Sequence, residues 1–211
     1  MLNLHYKTVS SAQRDLLERL GRLEFGTLVG GTALALQIGH RRSYDLDFVT
    51  KEAISDEMMR RIKSEVSEYN LSQRLFSPTQ FTAFVGNVKI TYFQDIASLL
   101  HPVHKLGMFN LASIGDIFSS KLYIMGRRAT WRDYVDVAVC LDQGACSLEK
   151  GLPEATTRYQ VSSRWILDPL SYFDDLELTP IEWGEKEYSD DQIKQIITKN
   201  VRDYLKTFNI E

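Results

Sequence analysis

The chain has 211 residues, 44% of them hydrophobic, and a formal net charge of −3. That composition supports a packed core of one large domain or two small ones and excludes a disordered chain. It gives no global basic signal for nucleic acid, although a local basic patch is compatible with it, and no stretch approaches the length of a membrane helix.

The N-terminus, MLNLHYKTVSS, lacks a basic flank followed by a long apolar run, so no secretory leader is expected. Ser10 or Ser11 can cap a first helix, along which Leu16, Leu17, Leu20 and Leu23 form one apolar stripe. Phe25 to Gly30 reads as a strand feeding a Gly30-Gly31 turn. Thr32 to Ile38 reads as a short helix ended by Gly39. His40, Arg41, Arg42 and Ser43 then lead into Asp45-Leu46-Asp47-Phe48-Val49, whose alternation is that of a strand.

The period of two puts Asp45 and Asp47 on one face. Two neighbouring carboxylates stay ionised together only with a cation or several donors between them. Mg²⁺ fits, because it takes hard oxygen ligands and uses one or two carboxylates plus phosphates. A glycine turn at a helix N-terminus is separately a cradle for phosphate oxygens. A Gly-Gly pair alone is usually a turn, and an Asp-x-Asp alone is usually a strand end. Together, with basic residues between them, they offer a phosphate cradle beside a metal post.

Ser55 starts a further helix with Asp56 and Glu57 in its first turn, and Met58, Met59, Ile62, Val66 and Tyr69 on its buried side. Leu71 to Phe93 is strand-forming, and FTAFVGNVKITYF reads as a hairpin about Gly86-Asn87. On its second strand Lys89, Thr91 and Phe93 share a face. From Asp95 onward the pattern is mostly helical, with His101 and His104 expected in loops. Ser113 and Asp116 make a capping-box pattern. Ile114, Phe118, Leu122 and Met125 then form an inner face, and at ~100° per residue Lys121 falls inside that apolar stripe. A lysine there either snorkels or pairs with a structural acid, or it points into a cleft and meets a phosphate. The phosphate cradle upstream favours the second. Thr130 and Asp133 form another capping-box pattern. The helix that follows is apolar nearly all round except for Asp133, Asp136 and Cys140, so its acidic stripe should face something polar.

Cys140 and Cys146, with no histidine nearby, make neither a zinc site nor a disulfide framework, and a reducing cytoplasmic setting is expected. Pro169 interrupts an apolar segment from Leu152 to Tyr172. Ser189 starts the last helix, striped by Ile193, Ile196, Ile197, Val201, Tyr204, Leu205 and Phe208. Such a stripe is core or, if exposed, a docking face.

GG-T-A-L followed by HR-x-S-x-D-L-D resembles the first two motifs of the AbiEii-type nucleotidyltransferases, the toxin half of type IV toxin–antitoxin systems, within the DNA polymerase β-like superfamily. SIGDIFSSKLYIMGRRATWRDYVD is similar to the third and fourth motifs: Lys121, then Arg127 or Arg128, then Arg132, Asp133 and Asp136. The resemblance implies an α+β nucleotidyltransferase (polymerase β-like) core with a small mixed sheet over residues 1–98. A helical domain over 99–211 would complete the active-site cleft. It implies NTP as substrate, with Gly30, Gly31, Thr32, Arg41, Ser43, Lys121, Arg127 and Arg128 binding the nucleotide. Asp45 and Asp47 would hold Mg²⁺, and the catalytic set would be Asp45, Asp47 and Lys121 with Asp133 or Asp136. The acceptor hydroxyl would belong to the tRNA 3′ end or another RNA, and a cognate antitoxin would be a protein partner. The superfamily normally supplies a third acid from the strand that here carries Thr91. The alternatives are a catalytically degenerate nucleotide- or protein-binding module and, more weakly, a metal-dependent phosphohydrolase.

Overall fold

The structure is a computed structural model and describes residues 2–128 and 130–207. The chain divides into two compact units, residues 1–113 and 114–211. No helix among the described residues is long and apolar enough to cross a membrane.

In the first unit, α1 (Ser11–Gly21) starts at a reciprocal capping box between Ser10 and Gln13 and buries Leu16, Leu17 and Leu20. β1 (Thr27–Val29) runs straight into α2 (Gly30–Ile38), so the glycine pair forms the first turn of that helix rather than a turn before it. Gly39, left-handed at φ 67°, closes α2 as its sequence position predicts. β2 (Leu46–Thr50), α3 (Asp56–Glu65), β3 (Leu71–Ser77), β4 (Gln80–Val85) and β5 (Val88–Gln94) follow. The hairpin of β4 and β5 closes at Gly86-Asn87, with Val85 opposite Val88.

Two short strands, β6 (His104–Lys105) and β7 (Asn110–Leu111), complete a mixed seven-stranded sheet of order β3-β4-β5-β2-β1-β7-β6. His104 therefore lies in a strand and not in a loop. The segment after Asp95 reads as helical because two-residue strands carry no period of their own; pairing alone defines them. β2 runs antiparallel to β1 and parallel to β5. One face of the sheet is dry: Leu46, Phe48, Phe81, Ala83, Ile90 and Tyr92 are all at most 2% exposed.

The second unit is a bundle of α4 (Ile114–Met125), α5 (Trp131–Asp142), α6 (Leu148–Tyr159), α7 (Ser163–Leu170) and α8 (Asp190–Thr207). Pro169 lies within α7 near its end. α8 buries Ile193, Ile197, Val201 and Tyr204, so its stripe is core and packs against α5. Phe208 lies outside the described residues. Cys140 and Cys146 are free thiols.

Candidate active site

Within the first unit, local geometry gathers the residues singled out between Gly30 and Asp47. Gly30 adopts φ +70°, a conformation open to glycine and costly for other residues. A Cβ there would sit 3.3 Å from Asp47 Oδ2, so the carboxylate is aimed at the first residue of α2. A Cβ on Gly31 would lie 2.6 Å from Arg41 Nη2 and 3.4 Å from Ser43 Oγ. Gly31 thus leaves room for the Arg41 guanidinium, and Gly30 is favoured by its backbone conformation. Val29 occupies the N-cap and has no side-chain oxygen to cap the helix.

The loop after α2 is pinned from several sides. The Thr32 hydroxyl lies 2.8 Å from Ser43 Oγ and also hydrogen-bonds to the Asp45 carbonyl. Gln13 donates to the Ser43 carbonyl at 2.9 Å, and the Ser43 amide donates to the Thr8 carbonyl at 3.0 Å. Arg41 is buried, and its Nη1 donates to the Arg42 carbonyl at 2.9 Å. This network fixes the cation against Gly31 and sets the direction in which the chain enters β2.

Asp47 is opposite Val29 of β1 and Thr91 of β5, and Thr91 is opposite Thr82 of β4. The register therefore sets Thr91, and no carboxylate, beside Asp47. Two residues along the same face of β5, Lys89 Nζ is 3.4 Å from Asp45 Oδ2. The sequence reading assigned no role to Lys89. The available signal was alternation, which put it on the face of Thr91.

In the second unit, Lys121 is 8% exposed and its ammonium is clamped by two acids of α5, Asp133 Oδ1 at 2.6 Å and Asp136 Oδ2 at 2.7 Å. The expected capping box at Thr130 does not form. The Thr130 hydroxyl donates instead to Asp133 Oδ2 at 2.6 Å, so that both oxygens of Asp133 are engaged. Asp136 is fully buried. One turn on, the Cys140 thiol is pushed up by its hydrogen bond to Cys146, by burial and by the Asp136 carboxylate. The acid stripe of α5 thus faces the lysine of α4. Arg127 and Arg128 are exposed after α4, Arg127 lying over the Tyr123 ring at 5.8 Å.

The mixed sheet thus carries a glycine pair opening a helix, with Asp47 on the adjoining strand and Asp45 just before it. Residues 14–94 match the family model described as "Nucleotidyl transferase AbiEii toxin, Type IV TA system". This segment is therefore similar to the AbiEii nucleotidyltransferases.

Similarity to other proteins extends over more of the chain. The uncharacterized protein aq_aa25 of Aquifex aeolicus (strain VF5) is 25% identical over 208 residues, spanning 94% of this chain and 98% of that one. MenT4, a nucleotidyltransferase toxin from Mycobacterium tuberculosis H37Rv, superimposes with a TM-score of 0.60 at 15% identity, over 90% of this chain and 80% of the other. ANT(2″)-Ia in complex with adenylyl-2″-tobramycin gives 0.54 at 14% identity, over 71% and 97%. These two structures share the fold.

Proposed function

We propose that the protein transfers a nucleoside monophosphate from an NTP to an acceptor hydroxyl, with pyrophosphate as leaving group. The observation that carries this reading is the convergence of Asp47 Oδ2, the left-handed Gly30 and the buried Arg41 on the first turn of α2. The amides of that turn and Arg41 would bind the β- and γ-phosphates, and Thr32 and Ser43 would hold the loop in shape. In the reaction the acceptor oxygen bonds to the α-phosphorus as the bond to pyrophosphate breaks.

Asp45 and Asp47 fit a divalent ion of the Mg²⁺ type. Asp47 is on β2 and Asp45 just before it, both beside the phosphate cradle, and among the described residues no trio of His, Cys, Asp or Glu offers a site complete without phosphate. Such an ion would offset charge on the triphosphate. The resemblance then gives phosphate contact to Lys121, with Arg127 and Arg128, and gives the acceptor hydroxyl and its proton to Asp136 or Asp133. The Lys121 clamp keeps both acids in place. RNA, in particular a tRNA 3′ end, is the proposed acceptor, and a cognate antitoxin the proposed protein partner. The family description and the printed name of MenT4 support a toxin role.

Incubation with labelled NTPs, Mg²⁺ and total RNA tests this. Label should enter RNA, and Asp47→Ala should lower the rate by ~10²- to 10³-fold. The register of Thr91 with Asp47 favours a second reading, a nucleotide-binding module without transfer. Nucleotide binding by the wild type with no label in any acceptor would establish that reading and overturn the first.

A further inference from the structure

Lys89 carries a positive charge onto the same sheet face as the paired aspartates. The parallel register sets Leu46 opposite Ile90 and Asp47 opposite Thr91; one step back brings Lys89 alongside Asp45. The Nζ–Oδ2 separation is 3.4 Å, and the two side chains are 39% and 46% exposed. The pair is therefore close enough to share charge and open enough to exchange partners.

We propose that Lys89 guards the cation site: it occupies Asp45 while no nucleotide is bound, so that a divalent ion enters with the triphosphate and not ahead of it. The inference rests on Asp45 and Asp47 being the metal ligands. A bare cation meets one carboxylate already partnered and an ammonium that repels it. A triphosphate brings several anionic oxygens, to which the ammonium can turn, releasing Asp45 as the further oxygen ligands arrive. Lys89 acts through Asp45 and is a positioning residue. A half-exposed ion pair contributes little to folding. Removing the lysine should therefore move metal affinity without moving Tm, which a merely structural role would not do.

The test is Mn²⁺ binding to the full chain, followed by electron paramagnetic resonance, alone and with a non-hydrolysable α,β-methylene NTP. Without nucleotide, Lys89→Met should bind Mn²⁺ about tenfold more tightly than wild type. Lys89→Arg should restore the weak binding. With the analogue the gap should close or reverse. Equal Mn²⁺ affinity of wild type and Lys89→Met without nucleotide, when both bind it with the analogue, overturns the guard alone. Mn²⁺ binding with the analogue that survives unchanged in Asp47→Ala, or that is missing from wild type, overturns the metal reading and the guard with it.

Discussion

Tyr92 shows how a single side chain can weigh against the fold that contains it. Its ring stacks on Phe48 at 4.7 Å between centroids, and it is 1% exposed. Its hydroxyl has no hydrogen-bond partner among the described residues, and burial pushes the phenol well above its usual range. A buried, unsatisfied hydroxyl costs ~1–3 kcal/mol. Tyr92→Phe keeps the ring and removes the unpaired group. It should raise the unfolding free energy by about 1 kcal/mol in urea denaturation, and a loss of stability would show that the hydroxyl is satisfied. Lys121 is the opposite case, an ionic group whose burial is fully compensated. Its place inside an apolar stripe was legible from spacing alone. The identity of its partners was not, because Asp133 and Asp136 belong to the next helix and only packing brings the two helices into register.

At the scale of elements, α4 and α5 are joined by an ion cluster where most helix pairs use apolar contacts alone. Lys121→Met would leave two buried carboxylates facing each other, which is costly because removal of one partner strands an uncompensated charge. The expected destabilisation is about 3–5 kcal/mol by chemical denaturation, and Asp136→Asn in the same chain should recover part of it. A loss below about 1 kcal/mol would mean that the cluster is well solvated. The caps were easier to read. Ser10, Ser55 and Gly39 act where the sequence puts them, because each works through neighbours within four residues. Thr130 fails as a cap for a reason outside its own helix: Lys121 draws Asp133 into an ion pair, and the hydroxyl follows the carboxylate.

On the scale of the whole molecule, the elements around Gly30 and Asp47 were visible in alternation and turn chemistry, while the α+β class came from the family resemblance. The far edge of the sheet was not, since β6 and β7 are too short for a pattern. Their pairing nevertheless matters to β1. The Ala112 amide donates to the Leu28 carbonyl at 3.0 Å, Gln37 donates to the Ala112 carbonyl at 3.1 Å, and Leu111 is fully buried. A fragment of residues 1–113 keeps these contacts and one of residues 1–98 loses them. The longer fragment should unfold cooperatively at a higher urea midpoint, by roughly 3 kcal/mol in stability. Equal midpoints would show that the first unit ends before β6.

The strand beside Asp47 is its neighbour in space and a late arrival in time. β2 leaves the ribosome first; α3, β3 and β4 must follow before β5 can lie parallel to it. A growing polypeptide therefore holds its acid pair without the Thr91 flank and without the Lys89 counter-charge until the hairpin has come home. The surroundings of Asp47 are therefore complete only after most of its own unit has been synthesised.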